Sequence, residues 1–362
     1  MLSFGSQPSV EKEVFSRFSV REEYIGSSGW QFLVEKTDDF KLRFKDLYFS
    51  LRELGFWAFA RKQQDLVLIS IVKATPHKER NPWIYIGLLA VTLASVAVSG
   101  YELSIAYFMA LGVKASSASV ALTTAEFVIS LLAILGIHEM GHKFVTERSG
   151  ERASWPYFIP GPPYLLGAGF LGIGTFGAVI MAEEPPLNRD HLFDLGVSGP
   201  MAGFVASVVA AAIGVALSPP LAIPSALQRL GQDYAIFYRV PLLIQIFFAL
   251  KGQSPYYSAL NPILIASWIG MLVTFLNLLP AAQLDGGHVF RSFLTQRQMM
   301  ALSVMVTILM FFIGYWLMAL LVLLMAFFPD PGALEEVTPL SKGRKSSLLL
   351  ILAVILLTAI VI

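Results

Sequence analysis

Long apolar stretches dominate the chain beyond residue 81, whereas the region before them alternates between apolar and charged positions. A helix needs about 20 mainly apolar residues to cross the hydrocarbon core of a bilayer. The pattern predicts spans at about 83–101, 116–146, 195–217 and 258–280, a long apolar stretch at 299–328 and a last span at 347–362. The run from Pro241 to Leu250 is too short to span. The expected fold class is an α-helical polytopic membrane protein, a bundle of about 6–7 transmembrane helices.

Basic residues set the expected orientation, because Lys and Arg concentrate at cytoplasmic ends of spans. Basic residues flank the first span on its N-terminal side and follow the second and fourth spans: Lys73, Lys78, Arg80, Lys143, Arg148, Arg152, Arg291 and Arg297. The tail residues Lys342, Arg344 and Lys345 are also predicted to be cytoplasmic, which would make 299–328, interrupted at Gly314, a hairpin of two short helices. The chain is therefore expected in the cell membrane as a multi-pass protein, with its N-terminal domain and active-site opening cytoplasmic.

The region before the first span predicts a small soluble α+β domain. Residues 23–35 and 66–72 have strand patterns, and 41–54 has apolar residues at helical spacing. We expect three parts: 1–80 as a cytosolic α+β domain, 81–330 as the membrane core, and 331–362 as a cytosolic linker with a C-terminal transmembrane helix. The charged residues of the first part are typical of any solvated surface, and no chemistry is assigned to them.

Composition supports the membrane assignment and narrows the chemistry. A hydrophobic fraction of 56%, a charged fraction of 14% and a mean hydropathy of +0.66 argue against a soluble protein. The formal net charge of +1 gives no reason to expect a nucleic-acid partner. Because the chain contains no cysteine, a transition metal would have to be bound through His, Asp or Glu.

The candidate chemistry lies in the sequence HEMGH at the end of the second predicted span. His138 and His142 are four residues apart, so their imidazoles leave one face of a helix and can share a cation. Glu139 could accept a proton from water beside that cation. In a soluble helix this spacing could be an ordinary polar face. At the end of a membrane helix, three ionisable groups cost free energy to bury, so a functional site is favoured. The alternative is that these side chains extend to the membrane interface and have no function.

A catalytic zinc ion requires a third protein ligand and an open position. His77 lies in the soluble region, His191 in a Pro-flanked loop, and His288 follows two glycines. Asp285 is the better candidate, since it stands at the same predicted membrane depth as HEMGH and is followed by Gly286 and Gly287, which allow a sharp turn. An Asp-Gly pair is also a common turn signal without chemistry.

Several segments together resemble the site-2 protease family of intramembrane zinc metalloproteases, peptidase family M50. They are HEMGH, GTFGAVIM at 174–181, NRDHLFDLGVSGPMAG at 188–203 and NLLPAAQLDGGH at 277–288. The resemblance covers roughly residues 80–330, and it implies that the membrane core is an intramembrane metalloprotease core that cuts transmembrane helices of protein substrates within the bilayer.

Carried over to this chain, the family's roles fall on five residues. The resemblance implies that His138, His142 and Asp285 hold one catalytic Zn²⁺, that Glu139 activates water, and that Asn277 positions or polarises the substrate carbonyl. The chain departs from many members at Gly203, where they carry an Asn. No sequence signal for an inserted PDZ domain is seen, so substrate selection is expected to reside elsewhere.

The glycine-rich stretch from Leu165 to Met181 predicts a β-hairpin dipping into the membrane, whose free edge could pair with an unwound substrate. The candidate substrate-binding residues are Gly174, Phe176, Gly177 and Pro280. A connecting loop or a tightly packed helix is the alternative, because small residues also line helix interfaces.

Two rival functions use the same residues. A divalent-cation transporter or channel could use His138, His142 and Asp285 as a transit site. An inactive scaffold could bind membrane helices without cutting them. The sequence leaves the substrate, the cleavage position and the oligomeric state open.

Overall fold

Helices make up most of the computed structural model, which describes residues 7–26, 29–74, 81–165, 172–221, 240–326 and 332–359. The first part contains α1 (Gln7–Phe15), β1 (Val20–Gly26), β2 (Gly29–Glu35), α2 (Phe40–Glu53), β3 (Phe56–Gln63) and β4 (Leu66–Lys73). The middle contains α3 (Pro82–Ala110), α4 (Ser117–Arg148), β5 (Tyr157–Pro160), β6 (Thr175–Val179) and α5 (Arg189–Ala216). The last part contains α6 (Leu242–Leu250), α7 (Pro262–Asn277), α8 (Asp285–Arg291), α9 (Gln296–Phe312), α10 (Trp316–Ala326), α11 (Lys342–Ser346) and α12 (Leu348–Thr358).

The first six elements form an α+β domain around an antiparallel sheet of order β1-β2-β4-β3. Alternate residues of β2, β3 and β4 are buried because successive side chains of a strand point to opposite faces. Helix α2 buries its apolar residues at helical spacing, namely Phe40, Phe44, Leu47, Tyr48 and Leu51. The domain core lies between this helix face and the sheet.

The sequence pattern predicted some of the elements in this region. The helix predicted at 41–54 is α2, and the strand predicted at 66–72 is β4. The single strand predicted at 23–35 is instead the antiparallel pair β1 and β2, in which Gly26 lies opposite Gly29. The pattern does not predict β3, because its apolar start is followed by Arg61, Lys62 and Gln63, which break the alternation.

Helices α3, α4 and α5 are each long and apolar enough to cross a membrane, and they lie where the sequence predicts spans at 83–101, 116–146 and 195–217. Each begins at a side-chain cap: Asn81, Ser116 and Asn188 accept hydrogen bonds from backbone N–H groups of the first turn. Because of its cap, α5 begins at residue 189, six residues before the start of the predicted span at 195, and its first turn is polar.

The remaining apolar helices are shorter than a bilayer requires. Helix α7 has 16 residues, α9 has 17, and α10 and α12 have 11 each. The predicted break at Gly314 is present, with a φ of +92° between α9 and α10. The structure therefore supports a mostly helical protein with three spanning-length helices among its described residues, without confirming the larger predicted number of spans.

Helix α5 is the centre of the helical core and packs closely against α4, α7 and α8. Small residues permit these approaches: a Cβ on Gly141 would lie 2.6 Å from the Ser198 carbonyl oxygen, and one on Gly214 would lie 2.5 Å from Leu264 N. The close contact of α5 with α4 and α8 is what brings the candidate metal ligands together.

Residues 332–340, here called the tie segment, join the N-terminal domain to the helical core. The Ala60 N–H of β3 donates to the Leu334 carbonyl at 2.8 Å, and the Leu334 N–H donates to the Pro186 carbonyl at 2.8 Å. Leu334 and Val337 also pack into the domain core beside Leu187. The tie segment, expected from sequence to be part of a linker, thus lies along the edge of the sheet.

Candidate metal centre

Helix α4 places His138 and His142 on one face. Their Nε2 atoms are 3.2 Å apart and both side chains are buried. Their rings stand edge-to-face with centroids 5.0 Å apart. This follows directly from the spacing of four residues in a helix.

Asp285, the first residue of α8, completes a triangle with the two histidines. Its Oδ2 lies 3.2 Å from His138 Nε2 and its Oδ1 lies 3.3 Å from His142 Nε2. These three residues form a group that could hold a metal ion. The three ligand types share one small volume even though Asp285 is more than 140 positions from His142 in the chain.

Two glycines after Asp285 allow α8 to begin against the preceding turn. A Cβ on Gly286 would lie 2.2 Å from the Leu278 carbonyl oxygen, and one on Gly287 would lie 2.2 Å from the Ala282 carbonyl oxygen. Both are ordinary helical positions, so their value is the close approach of two backbones rather than the sharp turn expected from sequence. Ala282 itself takes the left-handed conformation, with a φ of +45°.

His142 is oriented by a backbone carbonyl of α5. Its Nδ1 lies 2.8 Å from the Leu195 carbonyl oxygen, so a proton on Nδ1 is donated there and Nε2 is left to face Asp285. Pro200 lies inside α5 and has no N–H to donate to the Gly196 carbonyl, which interrupts the helical hydrogen-bond ladder near this contact.

Glycines of α5 form the wall behind the ligands. A Cβ on Gly199 would lie 2.0 Å from His142 Nε2, one on Gly203 would lie 3.0 Å from His138 Nδ1, and one on Gly196 would lie 2.5 Å from the Asp285 carbonyl oxygen. The sequence interpretation missed this wall. The spacing of three and four residues, which puts the glycines on one helix face, is the signal that could have identified it.

Glu139 lies beside the triangle and is held from the other side by the small sheet. Its Oε1 is 4.0 Å from His138 Nε2, and its Oε2 accepts a hydrogen bond from the Ile180 N–H at 2.9 Å. Ile180 directly follows β6. The backbone of the predicted hairpin region therefore orients the candidate base, a link that no residue pattern reveals.

Asn277 and Pro280 lie in the segment that leads to Asp285. Asn277 is the last residue of α7, and both side chains are half-buried. The structure thus places Asn277 on the same connection as the third candidate ligand, but it does not include Asn277 in the triangle.

The candidate substrate-binding residues in β6 and directly before it lie in two different environments. β6 pairs with β5 in an antiparallel two-stranded sheet, whose first strand precedes the stretch predicted as a hairpin; residues 166–171 of that stretch lie outside the described residues. Gly174 is buried, and a Cβ there would lie 2.5 Å from Val96 Cα of α3. Phe176 is 73% exposed, and no atom lies within 4 Å of the position that a Gly177 Cβ would take. Of these three candidates, Phe176 and Gly177 border open space and Gly174 does not.

Polar contacts join the N-terminal domain to the first turn of α5 and to the segment before it. Lys41 Nζ lies 2.5 Å from Asp190 Oδ2, and Tyr48 donates to Glu184 at 2.5 Å. Burial, followed by the hydrogen bond to Glu184, raises the pKa of Tyr48 above its usual range.

His191, which belongs to the first turn of α5 rather than to a loop, is buried and pairs with Glu151 at 2.7 Å. Burial raises the pKa of Glu151 despite this pair.

Comparison with known proteins identifies one family. Residues 126–321, more than half of the chain, match the model of Peptidase family M50. The matched region contains every member of the triangle together with Glu139 and Asn277.

Named plant proteins are similar over part of their length. The chain is 28% identical over 160 residues to probable zinc metalloprotease EGY2, chloroplastic, of Oryza sativa subsp. indica, covering 43% of this chain and 27% of that protein. It is 28% identical over 237 residues to probable zinc metalloprotease EGY1, chloroplastic, of Arabidopsis thaliana, covering 63% of this chain and 41% of that protein. The match therefore spans less than half the length of these relatives. No solved structure matches the chain at a significant level.

Proposed function

The chain belongs to peptidase family M50, and on that premise we propose that it is an intramembrane zinc metallopeptidase that hydrolyses peptide bonds of transmembrane protein substrates. The observation that carries the proposal is the triangle of His138, His142 and Asp285 beside Glu139, set among long apolar helices. Ionisable groups in such helices are costly to bury without a function.

The donor set fits Zn²⁺. Imidazole nitrogen and carboxylate oxygen bind zinc at about 2.0–2.2 Å, so ligands at tetrahedral positions lie roughly 3.3–3.6 Å apart. The three separations found here are 3.2, 3.2 and 3.3 Å. Asp285 Oδ2 is buried and has no hydrogen-bond partner among the described residues, as an atom reserved for a metal would be. When bound, zinc would polarise the substrate carbonyl and make water more acidic.

Glu139 is assigned as the general base. Its Oε1 faces the histidines while the Ile180 N–H fixes its Oε2. Oε1 takes a proton from the attacking water as the new C–O bond forms. The same proton then passes to the departing nitrogen as the C–N bond breaks, so that the products are a carboxylic acid and an amine. We assign Asn277 to donate a hydrogen bond to the substrate carbonyl, since its amide lies on the connection leading to Asp285.

Substrate is assigned to the free side of β6. The exposed Phe176 and the open space at Gly177 could accept an unwound substrate segment by strand addition. Gly174 would contribute by allowing β6 to lie against α3, and Pro280 by shaping the turn before Asp285. The two-stranded sheet would then lie within the membrane, which is acceptable where its backbone groups face protein or water.

The finer architecture is part of the same proposal. We extend the three spanning-length helices to about 6–7 spans by letting the shorter apolar helices cross in pairs or at a tilt. The basic flanks Lys73, Arg148 and Arg152 support placing the N-terminal domain and the opening of the site on the cytoplasmic side.

The decisive experiment compares the wild type with Glu139→Ala on a single-span test substrate, with and without a chelator. Glu139→Ala should retain bound zinc but lose cleavage, because it removes the base and leaves the three ligands. The matched control is Glu147→Ala two turns along α4, whose carboxylate is exposed and pairs with Lys143. This control should cleave normally.

The outcomes separate the rival functions. Unchanged cleavage by Glu139→Ala would show that the proposed mechanism is wrong. Metal flux across vesicles that persists in Glu139→Ala, without cleavage by the wild type, would indicate a cation transporter. A wild type that contains no zinc and gains no cleavage from added zinc would be an inactive scaffold.

A further inference from the structure

A cleft of about 790 Å³, lined by charged and apolar residues, separates the N-terminal domain from the end of α4 and the start of α5. Helix α2 supplies one wall, and the last two turns of α4 supply the other. The residues that matter below are Asp38, Leu42, Lys45, Phe144 and Arg148, all of which line the cleft. Its volume lies in the range of ordinary ligand sites, about 300–1,000 Å³.

Most charged groups of the cleft are already paired. Asp190 binds Lys41 and Arg344, and Arg344 also binds Asp194. Asp39 pairs with Arg43 on α2. Within the described part of the chain, Lys45 and Arg148 have no carboxylate at ion-pair distance, and Asp38 has no basic partner. The lining residues include four cations and four carboxylates, but Asp39 pairs with Arg43 from outside the lining, so the unpaired groups carry a net charge of +1, with one cation on each wall.

The cleft opens at the level where α4 leaves the apolar region. Trp83 at the start of α3 and Trp155 after the end of α4 are both strongly exposed, and Trp residues favour the membrane interface. Since α3 and α4 run in opposite directions, these two residues mark the same boundary. Phe144, on the last turns of α4, is 62% exposed, and Leu42 on the facing wall is 63% exposed.

We propose that this cleft binds the phosphate-bearing headgroup of an anionic phospholipid. Lys45 and Arg148 would hold the phosphate from opposite walls, and Leu42 and Phe144 would contact the glycerol and upper acyl carbons. Cations without a carboxylate partner at this level of a membrane protein attract acidic headgroups. A free phosphate ion offers the same charge but makes no use of the two exposed apolar side chains. The proposal does not depend on peptidase activity.

The test is lipid binding to the purified full chain in detergent, followed by native mass spectrometry. Phosphatidylglycerol should be retained in preference to phosphatidylcholine with the same acyl chains. Lys45→Gln and Arg148→Gln should each weaken phosphatidylglycerol binding by roughly fivefold, the effect of one cation near an anionic surface. The matched control is Arg152→Gln, which removes an exposed cation near the same boundary but outside the cleft and should change nothing.

A variant that gains lipid binding cannot be explained by misfolding, so it serves as a second test. Asp38→Asn removes the one unpaired carboxylate of the cleft and should tighten phosphatidylglycerol binding several-fold. Phe144→Ala should weaken lipid binding, and inorganic phosphate should not displace the lipid. Equal binding of the two lipids, equal effects of Arg148→Gln and Arg152→Gln, or displacement by inorganic phosphate would each overturn the proposal.

Discussion

Gly199 faces the imidazole of His142 so closely that a Cβ atom on Gly199 would lie 2.0 Å from His142 Nε2, the atom assigned to bind the metal. The obstacle is the ring itself, whose other nitrogen is already bonded to the Leu195 carbonyl. A side chain at this position must therefore move either the ring or α5. The metal site depends on a residue that carries no chemistry.

We predict that Gly199→Ala abolishes stoichiometric zinc binding. Displacing a ligand ring should weaken zinc affinity by at least about 100-fold, the upper range for disturbing the support of a ligand. Elemental analysis of the zinc content per protein molecule measures this loss. The control is Gly87→Ala in α3, where an added Cβ meets no atom within 4 Å. Full zinc occupancy in Gly199→Ala would contradict the proposed site.

Gly203→Ala should have a milder effect. The added Cβ would lie 3.0 Å from His138 Nδ1, so a shift of a few tenths of an ångström could accommodate it. We expect about a tenfold loss of zinc affinity or less, from a titration with a competing chelator. If Gly203→Ala weakened zinc affinity more than Gly199→Ala, the description of the glycine wall would be wrong.

Leu334→Ala should destabilise the N-terminal domain although Leu334 lies far away in sequence. Leu334 is fully buried in the core of that domain, and removing a buried leucine side chain costs about 2–5 kcal/mol. Limited proteolysis within residues 7–74 should accelerate by roughly 30-fold or more if cleavage follows the unfolded population. Leu54→Ala, at an exposed leucine of the same domain, serves as the control. Equal proteolysis rates for the two variants would mean that the tie segment is not anchored there.

Glu335→Gln should raise thermal stability at neutral pH. Glu335 is buried in the tie segment, where Oε1 accepts hydrogen bonds from the Val337 and Thr338 N–H groups and Oε2 has no partner. Burial raises the pKa of Glu335 above 4.5 despite these bonds. A glutamine oxygen can accept the same two bonds without an ionised group in the interior.

The sign of the pH dependence follows from that direction. Below pH 4.5 the Glu335 carboxyl is protonated in both the folded and the unfolded state, so its ionisation does not lower the free energy of unfolding. As the pH rises from 4.5 through the raised pKa of the folded state, the unfolded state loses its proton first and stability falls. Unfolding temperatures of wild type and Glu335→Gln should therefore converge at acid pH and diverge at neutral pH. Divergence in the opposite direction would contradict the assignment.

The sequence by itself determined the elements whose signals are local. Apolar length gave α3, α4 and α5, since crossing a bilayer requires about 20 apolar residues. Helical spacing placed His138 and His142 on one face, and the apolar context made a polar cluster there costly. The sequence did not predict elements whose pattern is short or mixed, such as β3. The shorter helices have too few residues to be counted as membrane spans from their length alone.

Only the tertiary structure decided how distant segments meet. Asp285 could be proposed from sequence as the third ligand, but its 3.2 and 3.3 Å separations from the histidines exist because α5 packs against both α4 and α8. The Leu195 carbonyl and the Ile180 N–H are backbone groups, which leave no mark in a residue pattern. The glycine spacing of the wall is visible in the sequence, but its contact with the ligand rings depends on packing. The same holds for the tie segment, whose place at the edge of the sheet depends on hydrogen bonds between backbone groups. The sequence alone therefore specified which side chains could do the chemistry, and packing of the backbone specified where they stand.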